Sequence, residues 1–295
     1  MPTDTREVLS LNKQWRIFKT QCRFFKKHKY WPNIIKPVTF SEKIQHRKFF
    51  DKNPLYSVCA DKFAVREYVK SKVGEQYLVP LLDVVDTPEQ LKLDTYGDAF
   101  VVKTTHDSGG VYLYQNGCFN KKNVVQRINR SLLKDTGICR DEPWYSAIRP
   151  RIIVEQLLTN SAGALPSDYK FHMFNQGGEM VFFLQVDYER GSNHHRSIYD
   201  QNGELTNLCI KTKSKQVPLA PLANYHEMVQ VAKKLAEDFD YVRVDLYNFE
   251  GQIYFGELTF AHGSGFRRFN PKSYDYEWGY LWQQKTQLQC SSPQI

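Results

Sequence analysis

Apolar and polar residues alternate along Val242–Tyr247, and a second run returns along Ile253–Phe260 after Glu250-Gly251. Alternation with period two predicts two half-buried strands joined as a β-hairpin. Shorter runs of the same kind predict strands at Ala99–Lys103 and Val111–Tyr114, with a Gly-bearing loop between them. Asp168–Phe174, Met180–Asp187 and His195–Tyr199 read as successive antiparallel strands. Continuous apolar runs at residues 78–85 and 151–158 predict buried strands, the first interrupted by Pro80. Helical spacing takes over elsewhere. Val8, Leu11, Trp15, Phe18, Cys22 and Phe25 recur every three or four residues, so residues 5–29 predict one amphipathic helix ending at Trp31-Pro32-Asn33. Ser41-Glu42-Lys43 signals the start of a short helix, Asp61–Lys72 a further one stopping at Gly74, and Thr87-Pro88-Glu89 another short start. Lys121–Lys134 and Tyr225–Phe239 complete the set.

The hairpin carries the densest chemistry. Side chains alternate faces, so Arg243 and Asp245 point one way, as do Glu257 and Thr259. Pairing the strands brings a cation, two carboxylates and a hydroxyl together, and such hard oxygens suit Mg²⁺ carrying nucleotide phosphates. The competing reading is a surface hairpin with solvated acids. The Gly263-Ser264-Gly265 turn that follows would offer backbone amides to a substrate anion. The loop Thr104–Gly110 (TTHDSGG) after Lys103 could lay amides over phosphates while the lysine meets their charge, or be an ordinary turn. It is not a Walker A loop, because no Lys-Ser/Thr follows the glycines. Glu155 stands inside a β-branched run, where a carboxylate needs a partner; an adenine amino group, a ribose or a neighbouring lysine would each serve. His194-His195-Arg196 concentrates cations, but no third ligand has metal-like spacing.

Composition narrows the class. The chain has 295 residues, 41% hydrophobic and 14% aromatic, enough for a sizeable core. Its formal charge is +8, yet residues 1–35 hold eight Lys/Arg against two Asp/Glu, so +6 of it sits there. The body is therefore near neutral, which argues against a nucleic-acid partner. That basic helix either docks on its own domain or touches an anionic membrane. Six cysteines without CxxC spacing read as free thiols of a reducing cytoplasm. No signal peptide and no run apolar enough to span a bilayer is evident.

Taken in order, FSEKIQ (40–45), ADKFAVREYV (60–69), FVVKTTHDSGG (100–110), RIIVEQLL (151–158), DYKFHMF (168–174) and YVRVDLYNFEGQIYFGELTFAHGSGF (241–266) resemble the ATP-grasp superfamily. The nearest branch looks like the TupA-like ligases of teichuronopeptide biosynthesis, which act on bacterial surface polysaccharides. The resemblance implies an α+β ATP-grasp fold, with nucleotide between two α+β lobes built on antiparallel sheets. It divides the chain into a basic helix (1–35), an N-terminal subdomain (36–96), a small lobe or lid (97–158), a C-terminal lobe with the Mg²⁺ and substrate site (159–282) and a tail (283–295). It implies ATP contacts from Lys62, Lys103, Ser108, Gly109, Gly110, Glu155, Gln156, Leu157, Leu158, Asp168 and Lys170. Asp245, Glu257 and Thr259 would hold metal, and Arg243, Lys103 and Arg267 would stabilise the transferring groups. His194, His195, Arg196, His262, Gly263, Ser264, Gly265, Arg267 and Arg268 would receive substrate. One departure stands out: Glu257-Leu258-Thr259 replaces the Glu-x-Asn of many relatives, which leaves the number of Mg²⁺ ions open. The implied reaction joins a uronic-acid or acidic carboxylate to an amino acid through an acyl phosphate, in the cytoplasm or at the inner membrane face. The alternatives are phosphorylation of a sugar hydroxyl, or a non-catalytic role in glycan assembly.

Overall fold

Two antiparallel sheets carry the period-two segments. The structure is a computed structural model describing residues 11–107, 109–115, 121–159, 163, 165–188, 195–210, 217–222 and 224–284. The smaller sheet contains β1 (Leu81–Val85), β2 (Ala99–Thr104), β3 (Val111–Gln115) and β4 (Ile152–Gln156), in the order β1-β4-β2-β3. The larger contains β5 (Asp168–Gln176), β6 (Glu179–Tyr188) and β7 (His195–Tyr199). A short ribbon pairs β8 (Cys209–Ile210) with a strand near the C-terminal end. The hairpin strands β9 (Tyr241–Phe249) and β10 (Gln252–Thr259) extend the larger sheet to β10-β9-β5-β6-β7, and β11 (Phe269–Asn270) completes the ribbon. The run at 78–85 departs from expectation. Only residues 81–85 form strand, and they lie half-exposed at the sheet edge, because β1 pairs with β4 alone. Through that pairing the small-lobe sheet takes in residues from the segment read as the N-terminal subdomain.

Helices α1 (Leu11–His28), α2 (Phe40–Phe50), α3 (Leu55–Ala60) and α4 (Val65–Val73) precede the sheets. Helices α5 (Lys121–Leu132) and α6 (Thr136–Arg140) sit between β3 and β4, α7 (Tyr225–Ala236) leads into the hairpin and α8 (Ser273–Leu281) ends the fold. The cap of α2 is Thr39, two residues before the expected start. Its hydroxyl accepts from the Glu42 amide, and Glu42 accepts from the Thr39 amide in return. Gly74 ends α4 at φ +106, a conformation that a Cβ would strain. Met228, Val231, Ala232 and Leu235 of α7 are buried in the main core with Val242, Val244 and Leu246 of β9. Each large apolar side chain buried there contributes about 1.5–3 kcal/mol. Arg47, fully buried on α2, donates to the carbonyls of Tyr241 and Phe260 at 2.9 and 3.0 Å, clamping the two strands together at the open end of the hairpin.

The hairpin contains one irregularity that matters for function. The register shifts by one residue between Phe255 and Glu257, a β-bulge at Gly256. Before it, odd-numbered Ile253 and Phe255 face the core; after it, even-numbered Leu258 and Phe260 do. The bulge therefore turns Glu257 and Thr259 to the face of Asp245 and Arg243, which they directly oppose.

Helix α1 docks on its own domain, but by the face opposite to the aromatic stripe. Ile17, Thr20 and Phe24 are buried, whereas Trp15, Phe18 and Phe25 are exposed. Among the described residues, Cys22, Cys59, Cys139 and Cys209 are free thiols, and no helix is long and apolar enough to cross a membrane.

Candidate active site

The larger sheet presents a polar stripe in which each group is held by the next. Arg243 grips Asp245 with two parallel bonds, Nε to Oδ1 at 2.6 Å and Nη2 to Oδ2 at 2.7 Å. Its Nη2 also donates to Glu257 Oε1 at 2.7 Å, and its Nη1 to His262 Nδ1 at 3.0 Å. Lys170 on the neighbouring strand donates to Asp245 at 3.0 Å and pairs with Asp168 at 3.2 Å. Farther across, Asp187 accepts from Arg196 at 2.7 Å and from Gln185 at 3.1 Å. Burial pushes the Asp245 carboxyl up, but Arg243 and Lys170 outweigh it and hold it below the usual range. Glu257 is the exception to this burial: half its side chain is exposed, and Thr259 Oγ1 donates to it at 3.0 Å.

Two histidines in the stripe are fixed as neutral bases. A guanidinium can only donate, so His262 Nδ1 accepts from Arg243 and the proton sits on Nε2. Burial, then His172 and the guanidinium groups, push this imidazole well below its ordinary value. Its Nε2–H is buried without a hydrogen-bond partner. Gln185 turns its amide nitrogen to Asp187, so its oxygen meets His172 Nε2 at 3.3 Å while the Tyr241 hydroxyl donates to Nδ1 at 3.0 Å. Burial, then Arg243, bring His172 down to about 3.

Across a cleft whose walls include Lys62, Lys103, Asp107, Glu155 and Glu257, the smaller sheet supplies Lys103 and a shaped loop, and the segment from α3 to α4 adds Lys62 and Arg66. Lys103 Nζ meets Glu155 at 2.6 Å, and Arg66 Nη1 takes its other oxygen at 2.9 Å. Of the partners open to Glu155, the structure has the lysine, joined by an arginine. Lys62 donates to the carbonyl oxygens of Thr104, at 2.8 Å, and Asp107, so it tethers the loop from below. Asp107 organises the loop from within, accepting from Thr104 Oγ1 at 2.7 Å, from the Gly110 amide at 3.2 Å and from Ser131. Burial raises the Asp107 carboxyl, but Lys62 and the hydroxyl donors lower it further.

Gly110 is required for space. A Cβ there would stand 2.1 Å from Thr104 Oγ1 and 2.7 Å from Asp107 Oδ1. Gly110→Ala is expected to lower ATP turnover by roughly a hundredfold through misplacement of the loop. Steady-state kinetics with varied ATP checks this; unchanged kcat and KM would refute a phosphate-positioning loop. Ser108 and His194 lie outside the described residues.

The family model of the TupA-like ATP-grasp proteins matches residues 42–282. The chain belongs to the TupA-like ATP-grasp family. No curated protein matches it in a sequence search. Among solved structures it is similar to D-alanine–D-alanine ligase from Helicobacter pylori, at 15% identity and a TM-score of 0.43, covering 75% of this chain and 61% of that one. An L-amino acid ligase from Bacillus licheniformis gives 15% identity and a TM-score of 0.43, with 76% and 46% covered. Phosphoribosylamine–glycine ligase from Thermotoga maritima gives 14%, 0.39, 70% and 48%. The chain thus spans about three fifths or less of the length of these ligases.

ATP-grasp proteins use ATP with Mg²⁺, and the residues present fit both. Among the described residues no three His, Cys, Asp or Glu side chains form a metal cluster. Asp245 and Glu257 oppose each other on adjacent strands, and two carboxylates so placed would leave phosphate oxygens and water to complete a Mg²⁺ shell. Glu257 presents an accessible oxygen ligand, whereas both Asp245 oxygens are engaged by Arg243 and Lys170. Thr259 stands behind Glu257 as its hydrogen-bond donor. After β4, the Gln156 and Leu157 amides donate to the carbonyl oxygens of Pro80 and Ala99, and Leu158 is half-buried. Asp168 and Lys170 are buried in the polar stripe.

The turn after β10 differs from a simple amide nest. Gly263, Ser264 and Gly265 all have left-handed φ, but the Ser264 and Phe266 amides donate to Ala261 and Gly263. Arg267 and Arg268 are exposed, and the Arg267 side chain lies over Gly263, where a Cβ would meet it at 2.1 Å. Arg196 and Arg267 both act electrostatically on His262, so the substrate residues expected from two distant segments share one neighbourhood. His195 is half-buried on β7 with its Nδ1 unpartnered. Asp107, Arg66, Gln185, Asp187 and His172 had no role assigned from sequence. For Gln185 and Asp187 a signal existed, since they are polar at alternate positions of an otherwise apolar strand.

Proposed function

We propose that this chain is an ATP-dependent ligase that joins an acidic group of a surface-polysaccharide precursor, a uronic acid foremost, to the amine of an amino acid. The observation that carries the reading is the cleft itself, where Lys103 of the smaller sheet and Lys62 between α3 and α4 line the same space as Glu257 of the larger sheet. In this reading a carboxylate oxygen attacks the γ-phosphorus of ATP and ADP leaves. The amine then attacks the acyl carbon, the bond to the phosphate oxygen breaks, and phosphate departs as the amine loses a proton. Lys103 and the Asp107-ordered loop position the phosphates, and Arg243 offsets charge building on the transferring group. The unpartnered His262 Nε2–H would donate to an oxygen of the acid or acyl phosphate. Mg²⁺, held by Glu257 and Asp245, would supply charge neutralisation to the phosphates.

Hydroxylamine in place of the amine tests the intermediate. Uronic acids incubated with ATP, Mg²⁺ and hydroxylamine should release ADP together with an acyl hydroxamate. A stable phosphorylated sugar formed without any amine would replace this reading with hydroxyl phosphorylation. Arg267→Lys and Arg268→Lys test the acceptor end. One of them is expected to raise KM for the acid roughly tenfold while leaving KM for ATP unchanged, because lysine cannot make two parallel bonds to a carboxylate. If neither shifts the KM of the acid, the acceptor lies elsewhere.

A further inference from the structure

The exposed face of α1 and the segment after it form an aromatic platform. Trp15, Phe18, Phe25 and Trp31 are each about half exposed, at 54, 46, 47 and 51%. They belong to one surface: Trp15 and Phe18 stack with ring centres 5.7 Å apart, and Trp31 folds back to 6.2 Å from both Phe18 and Phe25. Large aromatic side chains clustered in water mark a contact surface. Their surroundings say what kind. Lys19, Lys26 and Lys27 are exposed along the same helix and Lys29 just beyond it, and Lys19 Nζ stands 5.1 Å from the Trp15 ring centre. No Asp or Glu occurs anywhere between Leu11 and Val38.

We propose that this platform lies on an anionic phospholipid surface. Tryptophan and phenylalanine seat themselves at the boundary between headgroups and acyl chains, while lysines reach to the phosphates. An amphipathic helix of this composition lies in the interface plane and does not cross the bilayer. The platform lies outside residues 42–282, which carry the family match, and the proposal does not depend on which acid the enzyme activates. It does connect to the acceptor end of the site. The far side of the helix holds the turn after β10, with His28 Nε2 3.2 Å from the Gly265 carbonyl oxygen and Arg23 over the Phe266 ring at 4.1 Å. A chain seated this way would present that turn close to lipid-borne acceptors.

The test uses the full chain with vesicles of phosphatidylcholine, with and without about one-quarter phosphatidylglycerol. Co-sedimentation should occur on the anionic vesicles at low salt, with a blue shift of tryptophan fluorescence. It should weaken at least roughly tenfold on neutral vesicles and at about 0.5 M salt, where the Debye length falls to roughly 4 Å. The triple variant Trp15→Ser, Phe18→Ser, Phe25→Ser changes exposed side chains only. It should keep the unfolding temperature and ATP turnover while losing roughly tenfold or more of the vesicle binding. Lys19→Glu with Lys26→Glu should abolish the preference for anionic lipid. The proposal is overturned by absent binding to anionic vesicles at low salt, by equal binding to neutral ones, or by binding that survives the triple variant. Lipid-free self-association that the triple variant abolishes, without vesicle binding, would assign the platform to a second copy of the chain instead.

Discussion

Glu257→Gln is expected to leave the protein folded and to lower ATP turnover by roughly two to three orders of magnitude. The reason lies in where the carboxylate sits. Half its side chain is exposed at the cavity, so replacing it with an amide of equal size disturbs no core packing. The change removes the accessible negative charge opposite Lys62 and Lys103, and with it a carboxylate proposed to hold Mg²⁺. It also leaves Arg243 Nη2 with a neutral acceptor, weakening the bond that orients the guanidinium. ADP release, with circular dichroism as the check on folding, measures the outcome. A folded variant with near-normal turnover would show that Glu257 takes no part in handling nucleotide.

Arg243→Met should have the largest effect on stability, a loss of about 3–5 kcal/mol, because it leaves a buried Asp245 with Lys170 as its remaining cation. Urea denaturation of both proteins reads this directly. Linkage adds a second readout. Arg243 and Lys170 depress the Asp245 carboxyl in the folded state, so its contribution is present above the unfolded carboxylate pKa and is lost as pH falls through the folded value. With the guanidinium gone the depression shrinks. The stability gap between wild type and variant should therefore be wide near neutrality and narrow toward strongly acid pH. Equal denaturation midpoints, or a gap that widens in acid, would show that the pair does not hold the sheet face together. Arg243→Lys should recover part of the stability but not the paired grip on Asp245.

Much of this arrangement was legible along the chain because it is written in short-range periodicity. Val242–Tyr247 and Ile253–Phe260 bring Asp245 and Glu257 onto adjacent strands without reference to any other segment, although the bulge at Gly256 that sets them on one face is not readable from alternation. The β2–loop–β3 unit follows from the same rule. What could not be read depends on partners that leave no local trace. Arg66 reaches Glu155 across 89 positions of sequence, and Lys170 meets Asp245 across 75. Helix α1 shows a different limit. Spacing reveals that a helix has two unlike faces, but Trp15 and Phe18 are no more apolar than Ile17 and Phe24. Which pair docks is decided by the surface beneath, where Ile17 packs with Ile34 and Phe49. For α2, a serine and a threonine two positions apart both satisfy the cap rule. Asp275 decides between them by taking the Ser41 amide at 2.8 Å, which leaves Thr39 as the cap.

The bulge at Gly256 makes the chemistry of β10 depend on counting. Were Gly256 paired as an ordinary strand residue, with no bulge, parity would run unbroken from Ile253, carrying Glu257 toward the apolar core and Leu258 out to the cavity. Composition, length and strand propensity would hardly change, yet every functional group on that strand would be inverted. A side chain at this position is no remedy, since a Cβ would stand 3.0 Å from the Asp245 carbonyl oxygen and 3.3 Å from the Tyr247 ring. The strand thus works like a reading frame with one obligatory slip, and a redesign that smoothed its pattern into perfect alternation would read the site onto the wrong side of the sheet.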